Sequence, residues 1–216
     1  MRKEKMQPPR PTPGELSKES LGDLSRETSR VFANQQNAVE AGRRILELTG
    51  ENLDREGLKD TPQRFAKAYK ALFSGYDMSP EEAIGKGVFA AEGRGLVSVE
   101  DVEFYSLCEH HLLPFWGKAT VVYFPRDKIL GLSKIPRLVN LFARRVQVQE
   151  RITQQLQDAL VKLIDPRAVM IQVQAQHLCM MMRGVEKQQS QTTTQSIYGF
   201  DQLEDYEKQQ LTRLMK

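Results

Sequence analysis

Apolar positions in the N-terminal part of the chain follow the period of a helix. From Gln35 to Thr49 they recur on one face, which predicts an amphipathic helix. A second helix is predicted between Asp60, which can cap its start, and Gly75, which can end it. The segment Ser79-Pro80-Glu81-Glu82 has the pattern of a capping box and predicts a short third helix.

Near Leu96 the period changes to the alternation that is typical of strands. Four strands are predicted, at Leu96 to Phe104, Lys118 to Phe124, Val169 to Met181 and Gln191 to Tyr198. A long helical region in two amphipathic halves is predicted from Lys134 to Leu163, and a terminal helix from Asp201 to Lys216. This order of elements favours an antiparallel α+β layer over a doubly wound parallel sheet.

Composition divides the chain into three parts. Residues 1–34 are basic and rich in proline, with few apolar positions, and are predicted to be a disordered arm. Residues 35–95 form the predicted N-terminal helical region. Residues 96–216 form the predicted α+β domain that carries the candidate chemistry, together with its C-terminal helix.

The overall composition is that of an ordinary globular protein, with 40% hydrophobic and 27% charged residues among 216. The net charge is +3, and Lys and Arg are mixed with acidic residues, so a dedicated nucleic-acid-binding protein is not expected. No stretch approaches the roughly 20 apolar residues that a membrane span needs. The basic, proline-rich start does not predict a secretory signal, so a cytoplasmic location is expected.

The cysteines and histidines of the chain are concentrated in two short segments. Both cysteines and all three histidines fall within Cys108-Glu109-His110-His111 and His177-Leu178-Cys179. Such clustering favours a metal site. A disulfide and a pair of buried thiols are the alternatives. The cytosol disfavours a disulfide, and neither alternative explains the histidines.

Strand alternation predicts that His177 and Cys179 lie on the same face of their strand. Cys108 and His111 then offer two ligands, and Cys179 a third, which leaves the fourth zinc position open as in catalytic sites. His110 and His177 remain for proton transfer. A structural site with four or five ligands stays open as an alternative. The signature of zinc nucleobase deaminases is absent.

Cationic residues indicate where an anion could bind. Ser133, Lys134 and Arg137 lie at the predicted start of the long helical region, where backbone N–H groups attract anions. Three more cations could join them: Arg64, Lys67 and Arg183. Taken singly, these side chains are more typical of a solvated charged face. Glu150 could accept hydrogen bonds from a guanine edge or could be an exposed helix residue.

Four segments resemble the hallmark motifs of type I GTP cyclohydrolases, in the order in which that family has them. The segments are Phe104-Tyr-Ser-Leu-Cys-Glu-His-His-Leu-Leu-Pro-Phe-Trp-Gly-Lys118, Gly131-Leu-Ser-Lys-Ile-Pro-Arg137, Ala143-Arg-Arg-Val-Gln-Val-Gln-Glu-Arg151 and His177-Leu-Cys-Met-Met-Met-Arg-Gly184. The resemblance implies an enzyme that opens the guanine imidazole ring of GTP by hydrolysis at C8 and releases formate. The ring is then reclosed to give 7,8-dihydroneopterin triphosphate, the first step of folate and pterin biosynthesis.

The resemblance also implies a role for each candidate residue. Cys108, His111 and Cys179 would hold zinc, while His110 and His177 would shuttle protons. Glu150, with help from Gln149, would fix the guanine edge. The triphosphate would be held by Ser133, Lys134, Arg137 and Arg183, with Arg64 and Lys67 able to join from a neighbouring subunit.

The fold that the resemblance implies is the tunnelling fold, an antiparallel four-stranded sheet with helices packed on one side. The implied assembly is a homodecamer of two pentamers with its sites between subunits. Two relatives of the same fold are alternatives, a nitrile reductase and a pyruvoyl-tetrahydropterin synthase, but the His110-His111 pair with two cysteines disfavours both. A non-enzymatic zinc-stabilised domain and a nucleic-acid-binding protein are alternatives from other classes, and cobalt or iron could replace zinc.

Overall fold

The computed structural model describes residues 35–214, so the predicted disordered arm lies outside the described residues. The helices, numbered along the chain, are α1 Gln35–Glu47, α2 Thr61–Leu72, α3 Pro80–Ile84, α4 Lys134–Ala143, α5 Gln149–Ile164, α6 Leu178–Met181 and α7 Asp205–Leu214. The strands are β1 Val88–Ala90, β2 Val97–Cys108, β3 Pro114–Phe124, β4 Lys128–Leu130, β5 Val146–Gln147, β6 Ala168–His177 and β7 Thr192–Tyr198.

The first two helices confirm the amphipathic pattern and pack against each other. Gly42 of α1 allows the approach, because a Cβ at this position would lie 2.9 Å from the ring of Phe65 on α2. Asp60 occupies the N-cap position of α2 but makes no side-chain cap bond, and its carboxylate lies 3.5 Å from the guanidinium of Arg64. The predicted end of α2 at Gly75 is wrong, because the helix stops at Leu72.

The predicted capping box at the start of α3 is confirmed. The Ser79 hydroxyl accepts a hydrogen bond from the backbone N–H of Glu82, and the Glu82 carboxylate accepts one from the backbone N–H of Ser79. These two bonds satisfy N–H groups that the first helical turn leaves without partners, which explains a helix of only five residues.

The main sheet has five strands in the order β5-β2-β3-β6-β7. Strands β2, β3, β6 and β7 are antiparallel and correspond to the four predicted strands, whereas β5 pairs in parallel with the end of β2. A separate two-stranded antiparallel sheet joins β1 to β4. The prediction of four strands therefore missed three short ones, because a strand of two or three residues is too short to show alternation.

The predicted helical region from Lys134 to Leu163 is two helices, with β5 between them. The backbone at Val146 and Gln147 pairs with the end of β2 at Leu107 and Cys108. The buried amide of Gln147 donates to the carbonyl oxygen of Phe142 and holds this connection against the end of α4. The apolar period on either side of the break is helical, so the pattern could not show the interruption.

The main hydrophobic core lies between one face of the sheet and the helices α4 and α5. It includes large side chains that are fully buried, among them Phe104, Phe115, Tyr123, Ile135, Leu156 and Leu160. The hydroxyl of Tyr123 accepts a hydrogen bond from the backbone N–H of Leu130 and fixes β4 beside the end of β3. Burial raises the pKa of Tyr123.

The expectation that helices pack on only one face of the main sheet is wrong. The C-terminal helix α7 covers one end of the opposite face, where Val122, Phe124 and Met170 pack against Leu203 and Leu211. Sequence alternation places apolar residues on both faces at this end of β3 and β6, so a second cover is required. Within residues 35–214, none of the helices is both long and apolar enough to cross a membrane.

Candidate metal centre and active site

The first half of the candidate site is a tight turn between β2 and β3. The backbone N–H of Cys108 donates a hydrogen bond to the carbonyl oxygen of Leu113. The backbone N–H of Leu112 donates one to the carbonyl oxygen of Cys108. Leu112 has a φ of 52°, which closes the turn. Strand β5 supports it from the other side, since the N–H of Glu109 donates to the carbonyl oxygen of Gln147. The turn thus projects Glu109, His110 and His111 from the end of the sheet.

The second half comes from the end of β6. The predicted strand to Met181 is wrong beyond His177, because the chain turns into the helix α6 at Leu178. The inference that His177 and Cys179 share a strand face by alternation therefore fails. Both residues still reach the turn after β2, because His177 pairs in register with Phe115 on the intervening strand β3.

The two halves bring Cys108, His111 and Cys179 together. Their ligand atoms, two thiol sulfurs and an imidazole nitrogen, all lie within 4.8 Å of one another. Both cysteines are free thiols, so the disulfide alternative is not observed. Burial and then the neighbouring Cys108 thiol raise the pKa of Cys179. This group could hold a metal ion, whose charge would stabilise two adjacent thiolates.

His110 and His111 both approach the same thiol. The Nδ1 atom of His110 lies 3.6 Å from the Sγ atom of Cys108, and that of His111 lies 3.8 Å from it. Of the two, His111 belongs to the group that includes Cys179. The side chain of His110 is 64% exposed and faces Glu109 at 3.9 Å, which leaves it accessible beside the group.

His177 lies on a fixed surface at the other side of the group. Its ring stacks on Phe115 with 4.5 Å between centroids and 3° between planes. Its Nε2 atom lies 3.0 Å from the Oε1 atom of Gln149. Burial lowers the pKa of His177, and the negative charge of Glu150 acts in the opposite direction.

Gln149 has partners that the sequence did not indicate. It is 2% exposed, and its amide nitrogen donates to the carbonyl oxygens of Val173 and Thr192, each at 2.9 Å. A contribution of Gln149 to binding the guanine edge stays a prediction. Glu150, the next residue along α5, is exposed and close enough to act on the charge of His177.

Two further charged groups lie beside the cluster. Arg183, which follows α6, is exposed and acts electrostatically on Cys179. Glu109 accepts a hydrogen bond of 2.6 Å from Arg151, and this contact holds the pKa of Glu109 below its ordinary value. The pair links the turn after β2 to the first turn of α5. Nothing in the spacing of Glu109 and Arg151 along the sequence could have indicated it.

The start of α4, with Ser133 and Lys134, lies at the opposite end of the sheet. The turn that contains Cys108 adjoins the first residues of β3, whereas β4 and the start of α4 adjoin its last residues. Strand β3 has 11 residues. At about 3.3 Å per residue, a strand of that length spans about 35 Å. Within one chain, the sheet therefore separates Ser133 and Lys134 from the Cys-His group.

The other predicted cations have their own surroundings. Lys134 packs on Gly87, where an added Cβ would lie 2.2 Å from its Cε atom. Arg137 lines an open cleft of about 360 Å³ together with Ser74, Asn140 and Arg144. Arg64 and Lys67 are exposed on α2, and Arg64 is paired with Asp60. Within the described residues, Ser133 and Lys134 are thus separated from the Cys-His group.

This combination defines a class of protein, an α+β protein with a Cys-His-Cys group of metal-binding character at the ends of neighbouring strands. The chain belongs to the GTP cyclohydrolase I family, whose model matches residues 38–216.

Relatives named GTP cyclohydrolase 1 are similar over most of the chain. The protein from Deinococcus radiodurans is 52% identical over 166 residues, which cover 77% of each chain. The protein from Parabacteroides distasonis is 52% identical over 73% of this chain and 81% of its own. The protein from Methylococcus capsulatus is 50% identical over 78% and 89%. A solved structure of an apo archaeosine synthase of the QueF-like type aligns with a TM-score of 0.42 and 16% identity, over 50% of this chain and 97% of that one.

Proposed function

We propose that this protein is a zinc-dependent GTP cyclohydrolase I. It opens the guanine imidazole ring of GTP by hydrolysis at C8, releases formate and forms 7,8-dihydroneopterin triphosphate. The observation that carries the proposal is the convergence of Cys108, His111 and Cys179, with His110 and His177 beside them, in a chain of this family.

The donor set fits zinc. Two thiolates and one imidazole are ligands that zinc prefers, and a group of three leaves a coordination position for a reactant. When bound there, zinc supplies the Lewis acidity that activates water near neutral pH. Cys108, His111 and Cys179 would hold it. Among residues 35–214 the group contains three residues rather than four or five, which supports the catalytic arrangement over the structural alternative.

The chain's own residues supply proton transfer and orientation. His110, exposed at the turn, and His177, stacked on Phe115, can take up and return protons as the ring opens and closes. Glu150 is exposed next to His177 and can accept two N–H bonds from the guanine edge. Arg183, on the same side as Cys179, can contact the triphosphate.

The complete site requires more than one copy of the chain. Ser133, Lys134 and Arg137 are suited to a triphosphate, yet one chain holds the first two at the far end of the sheet from Cys108. A neighbouring copy can bring its own α4 to this group. We therefore propose a homo-oligomer with sites between subunits, in the form of the decamer of two pentamers and the tunnelling fold that the family resemblance implies. Such a ring would also pair the exposed edge of β7.

The test is turnover of GTP by the full-length, zinc-loaded protein. We expect equimolar formate and a pterin that fluoresces after oxidation, both of which disappear in a His177→Ala variant. Lys59→Ala, a change at an exposed lysine outside the site, is the matched control and should retain activity. Absence of formate from fully metal-loaded wild-type protein would overturn the proposal.

A further inference from the structure

We propose that Gln149 is a positioning residue that holds His177 in a single tautomer, with the proton on Nε2, so that Nδ1 is the nitrogen that exchanges protons in the site. The catalytic part of this inference rests on the proposed function. The tautomer itself follows from the hydrogen bonds around Gln149 and does not depend on the reaction.

The orientation of the Gln149 amide is determined by two carbonyl groups. The carbonyl oxygens of Val173 and Thr192 both lie 2.9 Å from its nitrogen, and a carbonyl oxygen can only accept a hydrogen bond. The NH₂ group must therefore point to them. The opposite orientation would place the amide oxygen against two other oxygens in a buried position, where such repulsion has no solvent to relieve it.

The amide oxygen is then the atom that faces His177. It lies 3.0 Å from Nε2 and can only accept, so Nε2 must carry the proton. A neutral imidazole has one protonated nitrogen, which leaves a lone pair on Nδ1. The stack on Phe115, which is fully buried, fixes the plane of the ring as well. Both the rotation and the protonation pattern of His177 are thus set by Gln149 and Phe115.

Gln149 is itself held rigidly. Val173 belongs to β6 and Thr192 to β7, and these strands pair with each other around the contact, with Ala175 opposite Thr192. The amide therefore ties the start of α5 to both strands. Because these contacts already orient the imidazole of His177, little reorganisation of the site is needed during catalysis.

The role assigned here and direct guanine recognition predict different kinetics. A positioning residue affects the proton-transfer step, so Gln149→Met should lower kcat by about tenfold or more while KM for GTP changes little. A guanine contact would instead raise KM. Gln157→Met, which removes another buried amide from the same helix, is the matched control and should leave both parameters unchanged.

The tautomer can be observed directly by solid-state ¹⁵N NMR of zinc-loaded protein with ring-labelled histidine. The chain has three histidines, so the spectrum is simple, and a His177→Gln variant identifies the signals of His177. We expect a protonated Nε2 and an unprotonated Nδ1 in the wild type, and loss of this pattern in Gln149→Met. A proton on Nδ1 in the wild type would overturn the inference. The NMR measurement needs no turnover. A protein that does not hydrolyse GTP would therefore refute the proposed function, while the spectrum would still show which nitrogen of His177 carries the proton.

Discussion

At the scale of single residues, the candidate site gives two adjacent histidines different surroundings. His110 and His111 lie within 3.6 and 3.8 Å of the same sulfur atom, yet only His111 also groups with Cys179. The two rings also point differently, with 6.1 Å between their centroids and 67° between their planes. This division supports distinct roles as ligand and proton carrier.

The division predicts opposite effects for two neighbouring substitutions. His111→Ala should lose most of the bound zinc, because two thiolates alone hold it weakly. His110→Ala should retain one zinc per chain but lose ring opening. Metal content by mass spectrometry and formate release after loading would be measured on both. Loss of zinc from the His110 variant would mean that the two roles are assigned in the wrong order.

A second prediction at this scale concerns a buried ion pair. The carboxylate of Glu207 on α7 accepts bonds of 2.6 and 3.0 Å from Arg167, and these hold the pKa of Glu207 below its ordinary value of 4.5. A folded-state pKa below the unfolded one stabilises the fold above about pH 4.5, and this stabilisation is lost as the pH falls through the folded value.

Glu207→Gln should therefore lower the free energy of unfolding by about 3 kcal/mol at neutral pH and flatten its decline in acid. Urea denaturation at several pH values between about 3 and 7 would measure both effects. Asp205→Asn is the control, since the carboxylate of Asp205 is exposed and its contact with Lys208 is 3.7 Å long. If the free energy of unfolding of both variants falls in acid as steeply as that of the wild type, the ion pair contributes nothing to the pH dependence.

At the scale of elements, the close pairing of β3 with β6 aligns the two halves of the site. Gly117 lies opposite Ala175, two positions along the ladder from the Phe115–His177 pair. A Cβ on Gly117 would lie 1.9 Å from the carbonyl oxygen of Gln174. No side chain fits at that distance without displacement of a strand. The glycine is therefore required for the register that brings His177 to Cys108.

Gly117→Ala should destabilise the protein by about 2–3 kcal/mol and reduce zinc occupancy, because the strands must separate where the site is formed. Thermal unfolding and metal content would be compared with those of Gly93→Ala. An added Cβ at Gly93 meets no atom within 4 Å, so this control should be close to neutral. Equal stability of the two variants would contradict the close approach.

Elements with a clear period were predictable from the sequence, and those set by tertiary contacts were not. The alternation from Val97 and from Val169 identified β2 and β6, and the capping box at Ser79 identified α3. Strand β5 and the helical turn at Leu178 depend on pairing with β2 and on the geometry at the sheet end, which no local pattern encodes. The Cys-His clusters indicated the metal group because thiols and imidazoles are metal ligands. The contacts of His177 with Gln149 and Phe115 could not be predicted from the spacing of these residues along the sequence.

At the scale of the whole molecule, candidate residues lie at both ends of one sheet. The Cys-His group lies at the start of β3, and Ser133 and Lys134 lie beyond its end, next to β4. Under the proposed function, a single chain would present part of a site at each end. In a closed ring, the Cys-His end of one copy would meet the Ser133–Lys134 end of the next copy at every interface. Such an interface, between two different surfaces of the same chain, is heterologous.

This arrangement predicts complementation between inactive variants. His110→Ala and Lys134→Ala should each be inactive, but subunits mixed in equal amounts and assembled together should regain about a quarter of the wild-type activity, because one site in four combines an intact residue from each copy. Two variants from the same set, His110→Ala and His177→Ala, are the matched control and should not complement. Failure of the first mixture to recover would place Lys134 and His110 in the same copy.

The length of β3 also has a consequence for how the protein responds to its own abundance. If the two halves of each site belong to different copies, an isolated chain can be fully folded and still have no catalytic activity. Specific activity would then fall on dilution while circular dichroism stays constant, and a modest decrease in expression would reduce output more than proportionally.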